Sequence, residues 1–132
     1  MRVLDARIHA FLDVALVLAF VLGPLVFGLG GTPAVISFLL AFGFLILAAI
    51  TWSRARRGSS AISVPHGLLE LAVTVFLAFL PRIDGYAPGS PARRFFWIMA
   101  VAVGVIWLLS AYGNRALDAR RTTVASAPGG RV

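Results

Sequence analysis

The sequence predicts an all-α membrane protein, four transmembrane helices arranged as two tandem helical-hairpin repeats. Three observations carry this expectation. Hydrophobic residues make up 60% of the 132 positions and charged residues only 13%, a balance that would precipitate a soluble globule. The apolar residues gather into four stretches, each close to the ~20 residues that cross a bilayer core as a helix. Finally, His9, Asp13 and Pro24 recur 57 positions later as His66, Glu70 and Pro81.

The first stretch, roughly residues 8 to 28, holds His9, Asp13 and Pro24 and is followed by Gly28, Gly30, Gly31 and Pro33, which punctuate an external turn. It is long for the apolar region of a signal peptide, and its repeat partner lies mid-chain, so it is read as a span. The second stretch, 33 to 53, ends in the cluster Arg54, Arg56 and Arg57. The third, 62 to 81, carries His66, Glu70 and Pro81 and leads into a turn over Asp84 to Pro91. The fourth, 93 to 113, precedes residues 115–132, expected to be a disordered cytoplasmic tail whose Thr122 to Val132 portion is Ala, Ser, Pro, Gly and Arg rich. These boundaries divide the chain into a first two-helix repeat (1–57), a second (58–114) and the tail.

Arginine placement predicts the orientation, because cytoplasmic flanks retain positive charge. One side collects Arg2, Arg7, Arg54, Arg56, Arg57, Arg115, Arg120, Arg121 and Arg131, and the other only Arg82, Arg93 and Arg94. Both termini are therefore expected in the cytoplasm. Trp52, Trp107 and Tyr112 fall toward the cytoplasmic ends and Tyr86 and Trp97 toward the external side, as interfacial belts require. The formal charge of +7 resides in arginines between apolar segments, not on a basic face of a soluble fold, so nucleic acid is not an expected partner. All twelve basic residues are arginine, and with abundant Ala, Gly and Pro this fits a GC-rich bacterial genome. The absence of cysteine excludes disulfides and thiolate chemistry.

Sliding residues 8 to 28 onto 65 to 85 also matches Leu12 to Leu69, Ala15 to Ala72 and Gly28 to Gly85, and a gap-free extension sets Phe38 on Phe95. Matching His, acid, Pro and Gly at fixed spacing argues for duplication, with both halves inserted in the same direction about an axis along the membrane normal. The two histidines then share one depth. The stretches Gly23-Pro24-Leu25-Val26-Phe27-Gly28 and Leu80-Pro81-Arg82-Ile83-Asp84-Gly85 close the first helix of each unit. In this the chain resembles the bacterial SPW-repeat membrane proteins over most of residues 5 to 112, with the Ser and Trp of that motif replaced in both copies. The resemblance implies a small prokaryotic integral membrane protein and carries over no catalytic residue.

Proline lacks an N–H and clashes with the preceding turn, so Pro24 and Pro81 are expected to stop or bend their helices near the external side. Four-residue spacing sets His9 above Asp13 and His66 above Glu70. Ala15, Ala19 and Gly23 are expected to share the bundle-facing side with His9 and Asp13, with Phe11, Val14, Leu18 and Val21 toward lipid; Ala100 and Gly104 offer a second small-residue contact. Charge within hydrocarbon costs several kcal/mol unless paired or wetted, so His9, Asp13, His66 and Glu70 are the intramembrane residues in which function or packing is invested.

No Gly-x-Ser-x-Gly turn or phosphate-binding loop is present. The expected function is a non-enzymatic accessory, assembly or scaffold subunit in a bacterial cytoplasmic membrane, in contact with the lipid bilayer and with membrane-protein partners or further copies of itself. In this reading the polar cluster glues helices together, with Arg7 or Arg57 snorkelling nearby. No cofactor is required. The alternatives are a haem or divalent metal held by His9 and His66 with Asp13 and Glu70 as ligands or orienting partners, and a small ion or proton transporter.

Overall fold

A computed structural model describes residues 6–57 and 64–125. The chain is all-α: α1 spans Ala6–Phe27, α2 Gly31–Arg56, α3 Val64–Ile83 and α4 Pro91–Ala125. Each helix contains a window long and apolar enough to cross a membrane, with about a third of its residues or fewer buried inside the protein. A backbone in hydrocarbon must satisfy its own N–H and C=O groups, which is why such stretches fold as helices. α1 packs on α2 and α3 on α4, forming two hairpins, and α1 also lies against α4.

Among the buried positions of α1, Ala10 and Pro24 lie beside a line formed by His9, Asp13, Leu16, Phe20 and Gly23. Their alternating four- and three-residue steps are those of a knobs-into-holes seam. In α3 the same steps bury His66, Glu70, Leu77 and Leu80, with Val73 half-buried, so the 57-residue repeat is also a repeat of buried faces. Ala15 does not belong to this face: it is exposed, contrary to expectation. At about 100° per residue it points some 200° away from Asp13, and Leu16 occupies the bundle side instead. Of the other small residues, Ala19 is half-buried, Ala100 is buried, Gly23 meets the ring of Phe95, and Gly104 accommodates the Thr74 methyl group. Phe11, Val14, Leu18 and Val21 are exposed as expected.

The duplicated Pro-to-Gly motif forms two helix caps of the same design. Gly28 and Gly85 adopt φ of 63° and 64°. The Leu29 N–H donates to the Pro24 carbonyl at 2.8 Å and the Tyr86 N–H to the Pro81 carbonyl at 3.0 Å. This is the Schellman arrangement, in which a left-handed glycine closes the last turn. Both prolines therefore lie inside the final turn, not at the last residue. Pro24 cannot donate to the Phe20 carbonyl four residues back, and Ser37 of α2 donates its hydroxyl there instead, at 2.6 Å.

After the caps the repeats part. The turn from α1 to α2 comprises residues 28–30, whereas that from α3 to α4 comprises 84–90. The gap-free pairing of Phe38 with Phe95 consequently fails: Phe38 is 47% exposed and Phe95 2%. A two-residue insertion restores the match, setting buried Ala41 on Ala100, Phe44 on Val103 and Thr51 on Ser110.

A second departure concerns the C-terminus. Helix α4 continues to Ala125, so residues 115–125, expected as disordered tail, are helical. The segment Arg115-Ala116-Leu117-Asp118-Ala119-Arg120-Arg121 is rich in strong helix formers and extends a helix already nucleated in the membrane. Residues 126–132, Arg2 and the boundary at 58 lie outside the described residues. At the interfaces, Arg56 lies over the Trp52 ring at 5.7 Å and Arg93 over Trp97 at 4.7 Å, pairings suited to the headgroup region.

A Cβ at position 23 would enter the space of the Phe95 ring. Gly23→Ala is therefore expected to destabilise the bundle by ~1–3 kcal/mol, read as a lower thermal midpoint in detergent. Phe95→Leu in the same chain should recover part of the loss. Ser37→Ala, which leaves the Phe20 carbonyl without its donor, should cost ~1 kcal/mol in the same assay.

Candidate metal centre

His9 and His66 sit in the first turns of α1 and α3, with Asp13 and Glu70 one turn further along. The buried seams described above turn all four side chains inward. His9, Asp13 and Glu70 are wholly buried and His66 nearly so.

The two imidazoles meet at the interface of the repeats, His9 Nε2 lying 3.0 Å from His66 Nε2 with the rings inclined at 62°. His9 Nε2 is 3.6 Å from Asp13 Oδ1 and 3.2 Å from Glu70 Oε1. His66 Nε2 is 3.6 Å from Asp13 Oδ2 and 3.4 Å from Glu70 Oε1. The contacts across repeats are thus as short as those within a helix, so the two His–acid pairs meet as one four-residue cluster. One ligand atom from each residue can be chosen so that all four lie within 4.8 Å of one another.

This cluster is rich in acceptors and poor in donors. None of the four carboxylate oxygens of Asp13 and Glu70 has a hydrogen-bond partner. Nor does an arginine pair with either acid among the described residues; Arg57, expected nearby, bonds Ser53. The side chain of Arg7 lies outside the described residues. Two carboxylates buried this close repel strongly in a medium of low dielectric, and each costs several kcal/mol to remove from water. Positive charge at the centre is what such an arrangement requires.

The donor set fits a divalent cation. Two imidazole nitrogens and two carboxylates are ordinary ligands of zinc, and with neutral imidazoles their formal charge of −2 is cancelled by one such ion. For metal–ligand bonds of ~2.0–2.1 Å a tetrahedron has edges of about 3.3–3.4 Å. The His–His contact and the closest contacts of each Nε2 with the acids, to Glu70 Oε1 and to one or the other oxygen of Asp13, fall between 3.0 and 3.6 Å, so a single donor atom from each residue, all within 4.8 Å of one another, would draw in modestly to close such a tetrahedron.

Two hydroxyls complete the surroundings. Ser110 Oγ of α4 lies 2.7 Å from His9 Nδ1, and Thr51 Oγ1 of α2 lies 3.3 Å from His66 Nδ1. Sequence reasoning singled out neither. A signal was present: Thr51 ends the seam Ser37, Ala41, Phe44, Ala48, and Ser110 ends Val103, Ile106, so each hydroxyl follows an apolar run at core spacing near the depth of the histidines. Pro24 and Pro81, at the other ends of α1 and α3, take no part. Comparisons with protein-family models, curated proteins and solved structures found no match.

Proposed function

We propose that this protein is a non-catalytic membrane bundle that holds one divalent metal ion, Zn²⁺ being the ion its donors suit best. The observation that carries this reading is the convergence of His9, Asp13, His66 and Glu70 around four carboxylate oxygens that no protein donor satisfies. The ion would tie α1 to α3 and so staple the two hairpins together. Four protein ligands make a closed shell, as in structural zinc sites, whereas catalytic sites keep a position for water or substrate.

Haem is a poorer fit. Axial ligation puts two nitrogens on opposite faces of a macrocycle, while these Nε2 atoms are 3.0 Å apart. Conduction through the bundle is also less well supported, since among the described residues Ser37 is the one buried polar side chain outside the cluster and its two hydroxyls. A holding role agrees with an accessory, assembly or scaffold subunit, and the largely exposed apolar faces of all four spans leave room for membrane-protein partners or further copies as well as lipid. The arginine bias and the SPW-repeat resemblance support a bacterial cytoplasmic membrane with both termini inside.

Metal analysis of protein purified in mild detergent without chelator is expected to give one Zn²⁺ per chain, and Co²⁺ exchanged into the site should give the intense visible absorption of tetrahedral coordination. His9→Gln, Asp13→Asn, His66→Gln and Glu70→Gln should each weaken binding. A metal-free wild type that takes up neither ion would overturn the proposal.

An ion that binds the folded state alone stabilises it, by ~2.7 kcal/mol at a free concentration one hundred times Kd. Zn²⁺ should accordingly raise the thermal midpoint of the wild type, and chelation should lower it. Neither treatment should move the midpoint of a variant carrying all four substitutions.

A further inference from the structure

We infer that each repeat orients the metal-ligating histidine of the other, through Ser110 acting on His9 and Thr51 acting on His66. The inference rests on the metal-binding reading above and assigns positioning roles to two residues outside the ligand set.

One proton decides the tautomer of His9. A serine hydroxyl has a single hydrogen to donate, and Ser110 Oγ faces both the Ile106 carbonyl, at 2.9 Å, and His9 Nδ1, at 2.7 Å. A carbonyl can only accept, so the hydroxyl hydrogen is directed to Ile106, the usual back-bond of a serine in a helix. Ser110 Oγ is then left with lone pairs toward His9, and Nδ1 must be the nitrogen that carries hydrogen. In a neutral imidazole this leaves Nε2 with its lone pair exposed. That nitrogen is the one facing His66, Asp13 and Glu70. The tautomer assigned by these partners is therefore the ligating one, fixed before any ion arrives.

Thr51 occupies the equivalent place beside His66, with Oγ1 3.3 Å from Nδ1 while His66 Nε2 points to the centre; its hydroxyl is held by no backbone carbonyl among the described residues, so here the position of the hydroxyl, not a second bond, carries the assignment. Thr51 and Ser110 are equivalent under the two-residue insertion that aligns the buried faces of α2 and α4. The contacts consequently obey one exchange: His9 for His66, Asp13 for Glu70, Ser110 for Thr51. In both cases the hydroxyl comes from the opposite hairpin. All six side chains are buried, which shields these bonds from competition with water.

Groups that orient a ligating histidine through its second nitrogen typically change metal affinity 10- to 100-fold when removed. The test compares Zn²⁺ and Co²⁺ titrations of the full-length wild type, S110A, T51V, S110T and T51S in detergent. It is joined by nitrogen NMR of ¹⁵N-histidine-labelled protein, where only two imidazoles contribute. S110A and T51V are each expected to lose about 10- to 100-fold in affinity, while S110T and T51S, which keep a hydroxyl, stay near the wild type. In the Zn²⁺-loaded wild type both rings should be protonated at Nδ1, and S110A should release that preference for His9 alone.

If S110A and T51V bind as tightly as the wild type, or if S110T loses as much as S110A, the positioning role is wrong while the metal site stands. A wild type that binds neither ion overturns both readings, so the two failures are distinguishable. Should S110A fail to fold, T51V and the His66 signal carry the test independently.

Discussion

Everything in this bundle answers to the cost of placing two carboxylates and two imidazoles in a low-dielectric interior. Water cannot reach Asp13 or Glu70, and no protein hydrogen bond satisfies their oxygens. The four helices converge so that each acid lies within 3.6 Å of both histidine Nε2 atoms. Without compensating charge this core would oppose folding; the cation proposed above would turn the same groups into a link between the hairpins. Packing alone gives little comparable drive, because lipid tails solvate leucine as well as a helix neighbour does.

The remaining structure holds that convergence in register. Alternating four- and three-residue steps bring His9 and Asp13 onto the same seam as Leu16 and Phe20, so the apolar packing along α1 fixes the rotation at which the polar end presents itself. The Phe20 ring stacks on Phe44 and meets Phe95 edge-on, which ties α1 to both α2 and α4. At the far end, the paired Schellman caps stop α1 and α3 at matching points, and Ser37 satisfies the carbonyl that Pro24 leaves free. That last device has no hydroxyl counterpart in the second repeat, where the position aligned with Ser37 is Phe96.

Much of this was legible in the residues themselves. Apolar length located the four helices, and the scarcity of His, Asp and Glu in hydrocarbon marked the site. Spacing set each histidine over its own acid and depth allowed all four to meet, but which atoms approach one another depends on how α1 and α3 face each other, a relation that local spacing does not contain. Ala15 was misplaced because residue size was followed ahead of helical phase. Phe38 was misaligned because aliphatic sequence gives no warning of a longer turn. Ser110 and Thr51 escaped notice for a related reason: their partners lie 101 and 15 residues away, on helices whose rotation only the folded bundle defines. The helical run to Ala125 was hidden by treating the last apolar residue as the end of the helix.

The centre is nearly symmetric, and the ways in which it is not are informative. A single hairpin pairing with its own copy would have to offer identical residues twice. Joining the two in one chain removes that obligation: aspartate in one half corresponds to glutamate in the other, and threonine to serine. The extra methylene of Glu70 carries its carboxylate to 3.2 Å from the opposing histidine, whereas Asp13 reaches only 3.6 Å. Carrying both halves in one chain thus gives a site whose geometry can be adjusted from either side separately, an option that no symmetric dimer possesses.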